Sequence, residues 1–283
     1  MPCKKPLLLT IPLILSGILL VASPAGAADT CRAKKHCGGG SVPTYPAPGS
    51  AYPATVPGFE NMSYWKLTVP VDSKGGTGGT AVEVKQPALA TFKNPAYFHA
   101  SSDNQKVYFR ARVDGATTSN SAYPRSELRE MRSDGATNAA WTNASDTHQM
   151  TITQAITHLP DAKPHVVAGQ IHGGSSDVLQ IRLQGAKLFA RFEGTSSYDQ
   201  TLNPNYQLGT MFTVVIRADP SGIAVAYDDG SVRTQVSRNV KAAAATWYFK
   251  AGCYPQSNDS VANEPDEAYG EVLIDSITVT PVT

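Results

Sequence analysis

Three short runs in this 283-residue chain place polar side chains at every second position. In "RSELRE", Arg125, Glu127 and Arg129 alternate with Ser126 and Leu128. In "QIH", Gln170 and His172 flank Ile171, and in "YFKAGCYPQ", Tyr248, Lys250, Tyr254 and Gln256 alternate with Phe249, Ala251 and Cys253. Along an extended strand, alternate residues share a face. Each run therefore has one polar and one apolar face. Were the three strands neighbours, their polar faces would pool Arg, Gln, His, Lys and Tyr in one groove.

Such a groove has cations and amides to hold a carboxylate, and His and Tyr to move protons. It lacks the Asp/Glu pair that glycoside hydrolysis requires. The chemistry that matches is β-elimination from a uronic acid. Removing the C5 proton puts a second negative charge beside the carboxylate, and Arg and Gln donors would stabilise that enolate-like state. A base takes the proton and an acid protonates the departing glycosidic oxygen. Neighbouring cations favour a tyrosine phenolate, which suits Tyr to this work. The mechanism needs no cofactor, and the sequence shows no metal site. Taken singly, the runs have plainer readings: Arg125–Glu127–Arg129 as a surface salt-bridge ladder, His172 as a structural histidine, Tyr248 as a packing residue.

Together and in this order, the three runs resemble the signature segments of polysaccharide lyase family 7, the β-jelly-roll alginate lyases. "YWKLTVP" is similar to that family's N-terminal "WKLT" strand, and the likeness extends from about Phe59 to the end. The resemblance implies that Arg125 and Gln170 neutralise the substrate carboxylate, helped by His172. It implies that Tyr254, rather than Tyr248, protonates the leaving oxygen. His172 would be the base for guluronate, whereas Tyr254 would be both base and acid for mannuronate. Glu127 would orient the arginines, and Arg129, Lys250 and Gln256 would line subsites. Isoleucine in "QIH" resembles members that accept guluronate-containing blocks. The implied partner is an anionic polysaccharide, alginate, cleaved endolytically by a monomer. A lyase for another polyuronate such as glucuronan, or a non-catalytic carbohydrate-binding jelly roll, are the alternatives.

The elements that must position these residues are strands. "KVYFRARVDG" and "VLQIRLQG" alternate strictly, "TMFTVVIRAD" and "IAVAYDDGSVR" flank a "DPSG" turn, and Asp229-Gly230 suits a hairpin. "EVLIDSITVTP" supplies a last strand, while "KAAAATW" and "PALATF" offer at most a turn or two of helix. Many period-two strands between Gly- and Pro-rich turns indicate an all-β fold, a jelly-roll sandwich of two antiparallel sheets with a concave substrate groove.

Residues 1–27, with Lys4 and Lys5 before an apolar run and "PAGAA", read as a secretory signal peptide, so the mature protein is expected to be secreted and free of the membrane. Residues 28–57 read as a Gly/Pro-rich linker that joins no packed core, with Cys31 and Cys37 able to close a small disulfide loop. Residues 58–283 form the lyase-like domain. A net charge of +1 argues against nucleic acid as a partner. Cys253 is left unpaired, facing the core. His99, His148, His158 and His165 lack metal-like spacing and are assigned to loops or surface, and Asn61, Asn143 and Asn258 fit glycosylation sequons.

Overall fold

Period-two patterning dominates residues 45–174, 176–280 and 282, which the computed structural model describes. These residues form two antiparallel sheets. In spatial order the first holds Asp199–Asn203 (β10), Lys187–Phe192 (β9), Ser176–Gln184 (β8), His165–Gly173 (β7), Trp247–Pro255 (β14), Ser126–Glu130 (β5), Trp65–Val69 (β1) and Val82–Val84 (β2). The second holds Arg233–Arg238 (β13), Gly222–Asp228 (β12), Phe212–Asp219 (β11), His148–His158 (β6), Tyr269–Val279 (β15), Val107–Arg112 (β4) and Phe98–Ala100 (β3). The expected jelly-roll sandwich is what forms.

Alternation explains why the sheets stack. Phe249, Ala251 and Cys253 of β14 are fully buried, as are Leu128 of β5 and Ile171 of β7. They share one core with Phe109, Ile152, Ile216 and Ile274 of the second sheet. Phe98 meets Phe109 edge-on at 5.0 Å. Burying such apolar faces is the main driving force of folding, at roughly 25 cal/mol per Å². The polar face of the first sheet is thereby fixed outward. "PALATF" makes one 3₁₀ turn, Ala88–Thr91, and "KAAAATW" forms no helix.

Two expectations are corrected. Residues 45–57 are no linker: Val56 is in the core, Pro53 is buried, and Gly49 N–H donates to the Ala100 carbonyl at 2.8 Å. Tyr45 meets Tyr269 edge-on at 5.3 Å and lies 3.8 Å from the Arg110 guanidinium. Arg110 is fully buried and paired with Glu271. Pro and Gly set an extended path, but Val56 and Tyr45 along it still find surface to pack against. The four histidines also lie on strands, in β3, β6 and β7, and His99 is buried with its ring bonded to the Ala100 carbonyl. Asn143 is buried too, its amide donating to the Asp219 and Val240 carbonyls and accepting from Ala242 N–H. The Cys31–Cys37 loop and the signal segment lie outside the described residues. No helix among the described residues is long and apolar enough to cross a membrane.

A chain beginning at residue 58 should therefore be less stable than one beginning at residue 43. Burial of Val56 alone is worth roughly 1.5–3 kcal/mol. Urea unfolding should show at least about 2 kcal/mol lost, and equal midpoints would restore the linker reading.

Candidate active site

The strands carrying the three polar runs are adjacent in the order β7, β14, β5. Lys250 pairs with Gln170 on one side and Arg129 on the other, and Arg129 pairs in turn with Lys66. Neighbouring strands lie about 4.8 Å apart, so these side chains form a row across the sheet. Tyr248 stands opposite His172 at one end of β14. Toward the other end the pairing slips: three steps along β14, from Ala251 to Tyr254, span two along β7. Gly252 permits this bulge with a φ of +134°, and a Cβ there would sit 2.5 Å from the Ser126 carbonyl oxygen. Bulges re-aim the side chains that follow them, here Tyr254.

Below the row lies Glu127, 1% exposed. Its Oε2 is 2.5 Å from Lys250 Nζ and 3.2 Å from Arg125 Nη1, and its Oε1 accepts from the Gln170 amide. Burial would raise the Glu127 carboxyl, but Lys250, Arg125 and the donated hydrogen bonds outweigh it and hold the group below the usual carboxylate range. Burial brings Lys250 down to about 8, aided by Arg125 and opposed by Glu127. Two cations thus share one carboxylate. The centre keeps one net positive charge.

Tyr254 and His172 both line the groove, and along β14 Lys250 lies between Tyr254 and Tyr248, which stands opposite His172. The Tyr254 hydroxyl is 3.1 Å from Ser121 Oγ, which also accepts from Arg125 Nη2 at 2.9 Å. The Arg125 guanidinium stacks 3.8 Å over the Tyr254 ring. His172 Nδ1 lies 3.1 Å from the Tyr248 hydroxyl, and its Nε2 is 3.8 Å from Asp177. Burial and then Lys250 lower the imidazole's pKa, against Asp177 and Glu127, so the ring is neutral near pH 7. With Nδ1–H donating to Tyr248, Nε2 would hold a lone pair for proton abstraction. Between these groups runs a groove of about 520 Å³ that crosses six strands, from Glu83 on β2 to Asp177 on β8.

Arg125, Arg129, His172, Lys250 and Tyr254 line this groove. Gln170 and Glu127 are buried just beneath it, Gln170 Oε1 having no partner among the described residues. Glu127 reaches only one of the two arginines, because Arg129 is held by the Glu130 and Ala139 carbonyls and stacks on Tyr248 at 3.9 Å. Gln256 stands apart from the groove, beside Arg182. Ser121, Asp177 and the Lys66–Glu83 pair, 2.6 Å apart, escaped the sequence reading. Lys66 had a usable signal in the alternation of "YWKLTVP", whereas Ser121 lies in a loop with no periodicity. Among the described residues, no three His, Cys, Asp or Glu side chains converge to hold a metal.

The chain is thus an antiparallel β-sandwich with a charged groove across one sheet. Comparison with known proteins narrows this. Residues 60–281 match the family model described as alginate lyase, and the chain belongs to that family. The alginate lyase AlgAT5 of polysaccharide lyase family 7 is 41% identical, with a TM-score of 0.71 over 82% of this chain and 99% of that one. An alginate lyase from Corynebacterium sp. is 36% identical, with a TM-score of 0.70 over 83% and 99%. An alginate lyase of Klebsiella pneumoniae is 39% identical over 104 residues, 35% of this chain. The match spans 31% of that curated relative.

Removing one partner of a buried charge cluster costs about 3–5 kcal/mol. Glu127→Gln, which leaves Lys250 and Arg125 without their shared anion, should lower the unfolding free energy by that order. A variant with an unchanged urea midpoint would show that the cluster is open to water.

Proposed function

We propose that this chain cleaves the 1,4-glycosidic bond of alginate by β-elimination. The observation that carries the reading is the placement of Tyr254 and a neutral His172 in one groove with the positive centre formed by Arg125, Lys250 and Glu127. A substrate carboxylate docked there offsets the excess charge, with Arg125 and Lys250 as its donors and Gln170 acting from beneath through its bond to Glu127. As the C5 proton leaves, the same donors stabilise the enolate-like charge. The electron pair forms the C4–C5 double bond, the C4–O bond breaks, and the Tyr254 hydroxyl gives its proton to the departing oxygen. Ser121 holds that hydroxyl in place.

On guluronate, His172 takes the proton from the face opposite Tyr254. On mannuronate, Tyr254 reacts as the phenolate: it takes the C5 proton, passes it to the leaving oxygen and ends as the phenolate again. Two proton-transfer groups in one groove favour acceptance of guluronate-containing blocks. A groove crossing six strands, rather than a blind pocket, favours endolytic cleavage. Arg129, with Lys66 beyond it, extends the cationic lining to flanking sugars. Residues 1–27, read as a signal peptide, make the protein a secreted one.

Alginate incubated with the protein should gain ultraviolet absorbance from the unsaturated uronate end, and no rise on any polyuronate would sink the proposal. Tyr254→Phe should lower kcat by roughly 10²–10⁴-fold while oligosaccharide affinity persists; near-normal turnover would move the acid role elsewhere. The pH profile has a definite sign. Lys250 carries its charge below about 8 and loses it above, so kcat/KM, which reports the free enzyme, should fall as pH rises through that value. Lys250→Arg should move this limb upward. Because the His172 pKa is lowered, the acid limb should lie below the ordinary imidazole value of 6.5. An acid limb above 6.5 would exclude His172 as the base.

A further inference from the structure

The outward face of the first sheet continues past His172 onto β8, where Gln180, Arg182 and Gln184 point away from a core that takes Leu179, Ile181 and Leu183. Arg182 is 8% exposed, yet among the described residues it has no carboxylate within ion-pair range. Its guanidinium is held by neutral amides. Nη1 lies 3.4 Å from both Gln180 Oε1 and Gln256 Oε1. With the Gln184 amide turned to present its oxygen, Nε and Nη2 donate to it at 2.8 and 3.1 Å. The nearby Arg191 is already satisfied by two 2.8 Å bonds to Asp199.

Other buried arginines of this protein differ. Arg110 is neutralised by Glu271 and Arg125 shares Glu127. Burial, reinforced by Arg191, brings the Arg182 guanidinium down to about 10, with Asp199 and Asp177 only partly opposing. A buried cation without a counterion is costly, and amides orient it without cancelling its charge. A structural arginine would gain from a carboxylate beside it; one surrounded by amides is suited to an anion that arrives from outside.

Register gives the position. Tyr254 pairs with Val167, and Val167 pairs with Arg182. Two strand spacings, about 10 Å, therefore separate the strand of Tyr254 from that of Arg182. A carboxylate held at Arg182 belongs to a different sugar from the one at Lys250. We propose that Arg182, cradled by Gln180, Gln184 and Gln256, is a distal subsite for a uronate carboxylate. This deepens the polyuronate reading and rests on it. It also gives Gln256 a place in substrate binding, through Arg182 rather than in the central groove.

The test is Arg182→Gln in the full chain, assayed on long oligouronates and on the shortest oligomer that the native enzyme cleaves. The ratio of kcat/KM for long over short substrate should fall about tenfold, through KM, as expected for a lost charge-assisted contact. The thermal midpoint should hold or rise, since no ion pair is broken, and Arg182→Lys should restore part of the long-chain preference. An unchanged ratio would overturn the subsite, as would a ratio kept while the midpoint drops, which marks a structural arginine. Should the native enzyme cleave no polyuronate, the lyase reading itself fails. Calorimetric binding of a long oligouronate to the native chain and to Arg182→Gln then decides the subsite separately, equal affinities refuting it.

Discussion

Glu127 is the residue on which the groove depends. A single buried carboxylate draws Lys250, Arg125 and the Gln170 amide to one point from three different strand segments. Without it, two cations at the centre of a sheet would repel each other and seek water. With it they stay close, and their charges still exceed that of the carboxylate by one. Stability and ligand attraction are therefore set by the same cluster: enough anion to hold the donors together, too little to silence them.

The contrast with the other sheet makes the point sharper. Arg110 and Glu271 form a one-to-one pair, with Thr157 also donating to Glu271 and Tyr45 and Tyr269 flanking the guanidinium. That pair is neutral and closed, as a structural pair should be. The cluster around Glu127 opens onto a groove and is out of balance. Both sit on the outward faces of their sheets, so position in the sandwich does not separate them. Stoichiometry of charge does.

How far the sequence foretold this follows from what alternation can encode. It states which face a side chain takes, so Arg125, Glu127, Lys250 and Tyr254 fell on one face and Phe249, Ala251 and Cys253 on the other, as the structure has them. It is silent on lateral order: only pairing shows that β14 lies between β5 and β7. Depth is equally hidden, and so Gln170 and Glu127 proved to be beneath the groove rather than in it. Loop residues carry no period, which is why Ser121 went unread. Composition misled at residues 45–57, where Pro and Gly describe the backbone path but not the apolar surface that Val56 and Tyr45 cover.

The two tyrosines of "YFKAGCYPQ" show how one strand assigns different work to the same residue type. Tyr248 precedes the bulge, in regular pairing with His172. Its hydroxyl meets the imidazole, its ring lies against Arg129, and burial raises its pKa despite that cation. It is suited to hold a base in place, and poorly suited to ionise. Tyr254 follows the bulge, where the pairing has slipped and the side chain is aimed toward Ser121 and the Arg125 guanidinium. The device between them is Gly252, whose backbone no L side chain readily adopts and whose Cβ position would collide with β5. Cys253 takes no part. Its thiol lies in the core, where burial pushes its pKa up and it packs as a small apolar group. A single bulge at a glycine thus separates a tyrosine that orients from one placed to transfer a proton.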